Sequence, residues 1–331
     1  MERIPALDSL RAVAMVMVIG YHLDRSLMPA GYWGVMLFFV LSGYLITRLL
    51  IAEADESGRI DIWSFYSKRA LRLFPALVVV CLFLFAIGIG WSQIGPALGH
   101  YSNYARIAGF DLGLLTHTWF LAVMAHFYLL WPLVIAAVPA RYRLRALGVL
   151  ALAAVAWRVI AIEVVSPGWV YNATDTNAAA LLAGCYLGVA RPRTWRFAGL
   201  ALPALVVLMF IPFVGEEGAG FLWSDFLAIA LSVVIVQYAV SGPRWLENGA
   251  LLWLGEVSYG LYLWHYVLIN LDIPLLVALP LSLVAAAASW YLIEKQALKW
   301  SERFAKRRRE VESPSSELEA DDLAATANRR R

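Results

Sequence analysis

Residues 7–24 read LDSLRAVAMVMVIGYHLD. The run is apolar from Ala12 to Gly20, with Arg11 near one end and His22 near the other. Eighteen residues of α-helix extend about 27 Å, close to the roughly 30 Å hydrocarbon core of a bilayer. The run reads as a membrane crossing, and the composition of the whole chain agrees. Of its 331 residues 61% are hydrophobic and only 15% charged, against about a quarter charged in soluble domains. Its mean hydropathy is +0.68. That balance excludes an intrinsically disordered protein, a nucleic-acid binder and a small disulfide-stapled fold. Cys81 and Cys185 both stand inside apolar runs and read as small buried hydrophobes.

Outward from this run, nine further apolar stretches lie near residues 31–52, 71–90, 117–138, 144–165, 177–190, 197–214, 221–240, 250–271 and 275–293. The expected fold is an all-α membrane protein of about ten transmembrane helices, confined to a domain over 1–300. Residues 301–331, charged and without an apolar face, read as a disordered cytoplasmic tail. Lys and Arg mark cytoplasmic loops. With the N terminus inside, the inner loops hold Arg59, Lys68, Arg69 and Arg72, then Arg141, Arg143 and Arg145, then Arg191, Arg193 and Arg196, then Arg244. The outer loops hold Arg25 and Arg106. After the last crossing come Lys295, Lys299, Arg303 and the run Lys306, Arg307, Arg308, Arg309, which places the C terminus inside as well. Ten crossings require the same parity. Arg11 and His22 within the first run argue against a cleaved secretory signal.

Ionisable groups inside a bilayer are costly and mark function by default. Those inside the apolar runs are Arg11, His22, His126, Arg158, Glu163, Asp225, Glu256 and His265, with His117 and Glu294 near run ends. Eleven residues of helix make three turns plus about 20°, so Arg11 and His22 share one face about 16 Å apart. One reading gives them chemistry; the other has Arg11 snorkelling to headgroups and His22 capping the helix. Arg158 and Glu163 differ by about 140° around a helix and should find separate partners. In FFVLSGYL (38–45), Gly43 permits close helix approach and Ser42 can hydrogen-bond across it. In IDIWSFYSKRALRLFPAL (60–77), Lys68, Arg69 and Arg72 cluster as a helix begins, a pattern suited to oligophosphate anions or equally to anionic lipid headgroups. Gly184 and Gly188 form a GxxxG read as an internal packing face. The sequon Asn172-Ala173-Thr174 is of a kind common by chance. No serine-hydrolase elbow, Walker A loop, dinucleotide fingerprint, HExxH or paired CxxC is present, so no metal site is expected.

Three strings in order carry a resemblance. ALDSLRAVAMVMVIGYH (6–22), FFVLSG (38–43) and FYSKRALRLFP (65–75) make the chain resemble the acyltransferase 3 family of integral-membrane acyl transferases. The first string matches that family's Arg, ten residues, His signature at Arg11 and His22. HTWFLAVMAHFYLLWP (117–132), ALLAGCYLGVA (180–190), LGEVSYGLYLWHYVLI (254–269) and LPLSLVAAAASWYLIEK (279–295) extend the resemblance to about residue 300. The chain departs from the family pattern at Phe120, where Ser is usual, and at Met124, Ala125 and His126, where Glu, Glu and Gln are usual. It departs again at Thr174, Asp175, Thr176 and Asn177, in place of Thr-Arg-x-Asp.

The resemblance implies transfer of an acyl group, acetyl being usual, from cytoplasmic acyl-CoA to a hydroxyl of a cell-envelope carbohydrate or glycolipid, with no bound cofactor. The implied setting is the cell membrane, a bacterial inner membrane crossed many times, with no nucleic-acid partner. It assigns catalysis to His22 and Arg11, donor binding to Lys68, Arg69 and Arg72, and substrate positioning to Ser42, Tyr66, Trp119, His126 and His265. A neutral imidazole with an ordinary pKa near 6.5 suits proton abstraction near neutral pH. General-base catalysis by His22 and an acyl-histidine intermediate are both open, the first preferred. For His117, His126 and His265 a packing or interface-anchoring role is the alternative. Rival expectations for the whole chain are acylation of a small glycosylated metabolite, a membrane transporter, and a non-catalytic relative, the last motivated by Met124, Ala125 and Asn177.

Overall fold

Every apolar run between residues 7 and 293 contains a helix, and no strand occurs among the described residues. The computed structural model describes residues 3–211 and 218–300. The tail expected over 301–331, and the charges at 303 and 306–309 that oriented the C terminus, lie outside the described residues. Seven helical stretches are long and apolar enough to cross a bilayer: Pro5–Leu23, Trp33–Ser57, Ile62–Ala86, Gly113–Ala137, Ala140–Val164, Trp223–Val240 and Leu275–Trp300. The other three expected crossings take different forms. The sixth is a helix of 17 residues, Thr174–Ala190, and the seventh contains one of only 8, Ala201–Leu208. The ninth breaks at Val257 into Gly249–Glu256 and Ser258–Ile269. There the Ser258 hydroxyl donates to the Gly255 carbonyl at 2.8 Å, a side-chain bond that competes with the helix ladder and bends the chain.

The helices are numbered in order: α1 Pro5–Leu23, α2 Trp33–Ser57, α3 Ile62–Ala86, α4 Trp91–Leu98, α5 Ser102–Ile107, α6 Trp119–Ala137, α7 Ala140–Val164, α8 Pro167–Asn172, α9 Thr174–Ala190, α10 Ala201–Leu208, α11 Gly218–Val240, α12 Gly249–Glu256, α13 Ser258–Ile269 and α14 Leu275–Ser289. α3 begins nine residues before the expected 71, because the Asp61 carboxylate caps it by accepting from the Ser64 N–H at 3.0 Å. Lys68, Arg69 and Arg72 therefore sit two to three turns inside the helix, so the helix N terminus expected at the cluster is absent there. α4 and α5 are too short to cross and form a hairpin. At its tip His100 stacks on Phe74, ring centroids 6.3 Å apart, and Phe74 is the middle residue of α3. The tip holds His100 at φ 53, in the left-handed region that side chains rarely adopt.

Small residues set how closely the helices approach. Gly43 of α2 lies against the Leu181 carbonyl of α9, and Gly184 of α9 lies against the Val40 carbonyl of α2. The GxxxG is thus an internal packing face, as expected. Gly34 meets the Ala14 carbonyl, and Gly255 the Asp8 carbonyl, docking α2 and α12 onto α1. Arg158 of α7, 1% exposed, pairs with the fully buried Asp225 of α11 and donates to the Thr176 carbonyl at 2.7 Å. Among the described residues its ion-pair partner is thus Asp225 and not Glu163, in keeping with the helix geometry. Asn172 is buried, which removes it as a glycosylation acceptor, and Cys81 and Cys185 are free and buried. Large apolar side chains on α3, α7 and α14, including Leu82, Phe85, Leu152, Leu276 and Val284, face outward.

Candidate active site

α1 is the spine of the site. Toward its N-terminal end Arg11 shares a cavity wall with Ser42 of α2, Arg69 and Arg72 of α3, Tyr128 of α6 and Glu256 of α12. A second, deeper space is lined by the same six residues and continues past Phe38, Met124 and Tyr259 to Phe120 and Tyr262, with His100 on its wall. Together they form one vestibule. The Arg69 guanidinium stands 5.6 Å from the ring centroids of both Phe65 and Tyr128, cation–π contacts that fix it without a counter-ion. Arg11 donates to Asp8 at 3.0 Å, Asp8 also accepts from Arg3 at 2.8 Å, and Arg3 reaches Glu256 at 2.9 Å. Neither Arg69 nor Arg72 has a carboxylate partner among the described residues. The vestibule wall thus carries four guanidinium groups, those of Arg3, Arg11, Arg69 and Arg72, against the two carboxylates of Asp8 and Glu256, a balance that favours an anionic guest.

The vestibule ends at an aromatic wall. Phe120 packs against Phe38 at 5.8 Å, Phe39 at 4.9 Å and Tyr262 at 5.3 Å between ring centroids. The Tyr262 hydroxyl donates to the His117 carbonyl, and its ring lies 5.7 Å from that of His265. Behind this wall His22 Nδ1 stands 3.0 Å from His265 Nε2. The protons on this pair follow from its partners. His265 is fully buried, and its Nδ1 lies 2.8 Å from the Tyr262 carbonyl and 3.0 Å from the Leu261 carbonyl. Carbonyls only accept, so Nδ1 carries the proton and Nε2 of the neutral ring is an acceptor. His22 Nδ1 must then donate, which leaves His22 Nε2 with a free lone pair and no partner among the described residues. The ring of His22 lines a third cavity at the C-terminal end of α1, with Tyr21, Arg25, Arg106, Trp119, Tyr171 and Tyr266 among its walls.

Of the residues singled out from the sequence, Arg11, Ser42, Arg69 and Arg72 meet in the vestibule, while His22, His265 and Trp119 meet behind the wall. Lys68 is exposed and lines neither space. The Tyr66 hydroxyl donates to the Leu129 carbonyl at 2.6 Å, tying α3 to α6 rather than facing a cavity. His126 stands beside Ala125 and Met124, which line the vestibule, but its Nδ1 shares a 2.7 Å hydrogen bond with the Thr174 hydroxyl. One departure from the family pattern, His126, therefore touches Thr174, the residue of the second string that keeps the family's Thr. His117, weighed as an interface anchor, is instead 3% exposed and stacked on Tyr266 with ring centroids 4.9 Å apart.

Tyr128, Tyr259, Tyr262 and His100 escaped the sequence reading. Tyr259, Tyr262 and Tyr266 recur at i, i+3, i+7, a one-face spacing that marks them as a stripe. His100 stands outside every apolar run, so no hydropathy argument reaches it.

The pattern of a family described as an acyltransferase domain matches residues 4–293. The chain is 31% identical to a peptidoglycan O-acetyltransferase, OatA, of Listeria monocytogenes, with 82% of this chain and 50% of that protein covered. It is also 31% identical to the O-acetyltransferase OatA of Staphylococcus aureus, covering 80% of this chain and 50% of that one. The chain thus spans about half the length of these relatives. No solved structure matches it.

Proposed function

The chain belongs to the acyltransferase family whose pattern it matches over residues 4–293, and from that membership we propose that it acetylates a cell-envelope glycan across a bacterial cytoplasmic membrane. The donor is acyl-CoA, entering from the cytoplasmic face, and the acceptor is a hydroxyl of a carbohydrate or glycolipid at the outer face. The observation that carries this reading is the arrangement along α1. An anion-suited vestibule at Arg11, Arg69 and Arg72 and an imidazole pair at His22 and His265 lie on opposite sides of one aromatic wall. Acyl-CoA has the matching shape, a phosphorylated head and a long thin arm ending in a thioester. Arg69 and Arg72 hold the head and Arg11 the phosphate end of the arm.

In the transfer step the acceptor hydroxyl gives its proton to His22 Nε2 as its oxygen attacks the thioester carbonyl. The carbon–sulfur bond then breaks, the acetyl ester remains on the acceptor, and the thiolate takes the proton from the imidazolium to leave as free thiol. Throughout, His22 Nδ1–H donates to His265, which keeps the ring in the tautomer whose Nε2 can act as base. The full topology in this reading has ten crossings. α9, α10 with its flanking residues, and the α12–α13 pair complete the seven long helices, both termini lie inside, and Arg25 and Arg106 lie outside.

His22→Ala should lower acetyl transfer by at least about 100-fold while leaving acetyl-CoA binding intact. Turnover retained in that variant removes His22 from catalysis. Labelled acetyl trapped on His22 in the absence of acceptor overturns direct transfer in favour of a covalent intermediate.

A further inference from the structure

The cavity at the C-terminal end of α1 has a volume of about 330 Å³ and is lined by Arg25 and Arg106 with no Asp or Glu in its wall. Neither guanidinium forms an ion pair among the described residues. Arg25 is held over the Tyr21 ring, 4.9 Å from its centroid. Trp119 and Tyr171 form another wall, their rings 4.9 Å apart. Asn172 lines the same space and is 4% exposed. Its Nδ2 donates to the Gly168 carbonyl at 2.7 Å, and its buried Oδ1 has no partner among the described residues.

Each feature selects a chemistry. Flat aromatic faces accept the C–H faces of a pyranose ring, and a buried amide oxygen without a donor accepts a hydroxyl. Two uncompensated guanidinium groups attract an anion and orient it by paired hydrogen bonds. We infer that the acceptor is a negatively charged glycan whose anion is bound by Arg25 and Arg106 while His22 takes the hydroxyl proton. The anion is a carboxylate on the sugar or a phosphate joining it to a carrier. The inference rests on His22 being the transfer site, and it adds the charge of the acceptor.

The test uses the full chain in lipid nanodiscs without donor, and three probes: chitotetraose, which is neutral, a hyaluronan tetrasaccharide, which carries carboxylates, and N-acetylglucosamine 1-phosphate. At least one anionic probe should bind about tenfold tighter than chitotetraose, the effect of one charged hydrogen bond or more, and that preference should weaken as salt rises. Which anion binds better identifies its source. Arg25→Gln and Arg106→Gln should each erase most of the preference and leave chitotetraose unaffected, while Arg25→Lys and Arg106→Lys retain it in part. Equal affinities, absent binding of both anionic probes, or a preference that survives the double Gln variant overturns the inference. Adding acetyl-CoA separates the two readings. Transfer with equal efficiency to neutral and anionic probes keeps the acetyltransferase and removes the anion site. An anion preference without transfer to any probe does the reverse.

Discussion

In the proposed transfer step His265, by accepting a hydrogen bond from His22, does the orienting work that a carboxylate does in many hydrolytic triads. His265→Leu removes that acceptor, so His22 can take either tautomer. The expected outcome is a fall in kcat of about 100-fold with KM for the acceptor unchanged, a changed pH–rate profile, and partial rescue by His265→Gln, whose amide oxygen can accept. A loss of folded protein in both variants, or equal kcat in both, would show that His265 only packs. Phe120 belongs at this scale too, because its ring separates the vestibule from the histidines. Phe120→Ser should widen that passage and raise the rate with propionyl-CoA and butyryl-CoA relative to acetyl-CoA; an unchanged chain-length profile refutes the gauge. Arg11 and His22 were legible in the sequence because their spacing of eleven lies within one helix. The His22–His265 contact joins residues 243 apart, and no local period encodes such a meeting.

Among the elements, the α2–α9 seam gives a graded prediction. A Cβ at Gly184 lands on the Val40 backbone, whereas one at Gly188 meets Thr47 and Tyr44 atoms at 3.3 Å. Gly184→Ala should therefore cost about 1–3 kcal/mol and Gly188→Ala clearly less, read as the order of their thermal unfolding midpoints in detergent. The GxxxG string announced a packing face but not that its two glycines are unequal, since that depends on which carbonyl of α2 each one faces. The α7–α11 pair behaves differently. Arg158→Met strands the Asp225 carboxylate in a buried site and should cost about 3–5 kcal/mol, while Arg158→Met with Asp225→Leu should recover most of it. The bends in the run over 250–271 and the hairpin over 91–107 were hidden for a physical reason. Hydropathy measures how apolar a stretch is, and a broken helix buried in protein is as apolar as an unbroken one.

For the whole molecule the orientation is the testable property. In a variant with Cys81 and Cys185 replaced by alanine, Leu27→Cys and Arg59→Cys place single thiols at exposed positions on the two sides of α2. A membrane-impermeant maleimide applied to intact cells should label position 27 and spare position 59; the opposite pattern inverts the topology proposed above. Composition was enough to recognise a helical membrane protein, because it is a sum over many residues; the loop charges supply the orientation that this labelling tests. The number of crossings was less accessible, since α9 and α10 fall short of a full span and only their neighbours decide how they sit. The aromatic wall has a last consequence at this scale. Cavities open toward it from both ends of α1, and in the topology proposed above Phe38, Phe39, Phe120 and Tyr262, with His117 and His265 behind them, lie between the two sides of the membrane. A cell that stores energy as a proton gradient tolerates such a protein only while those rings stay shut, which makes the wall an electrical insulator as well as a passage.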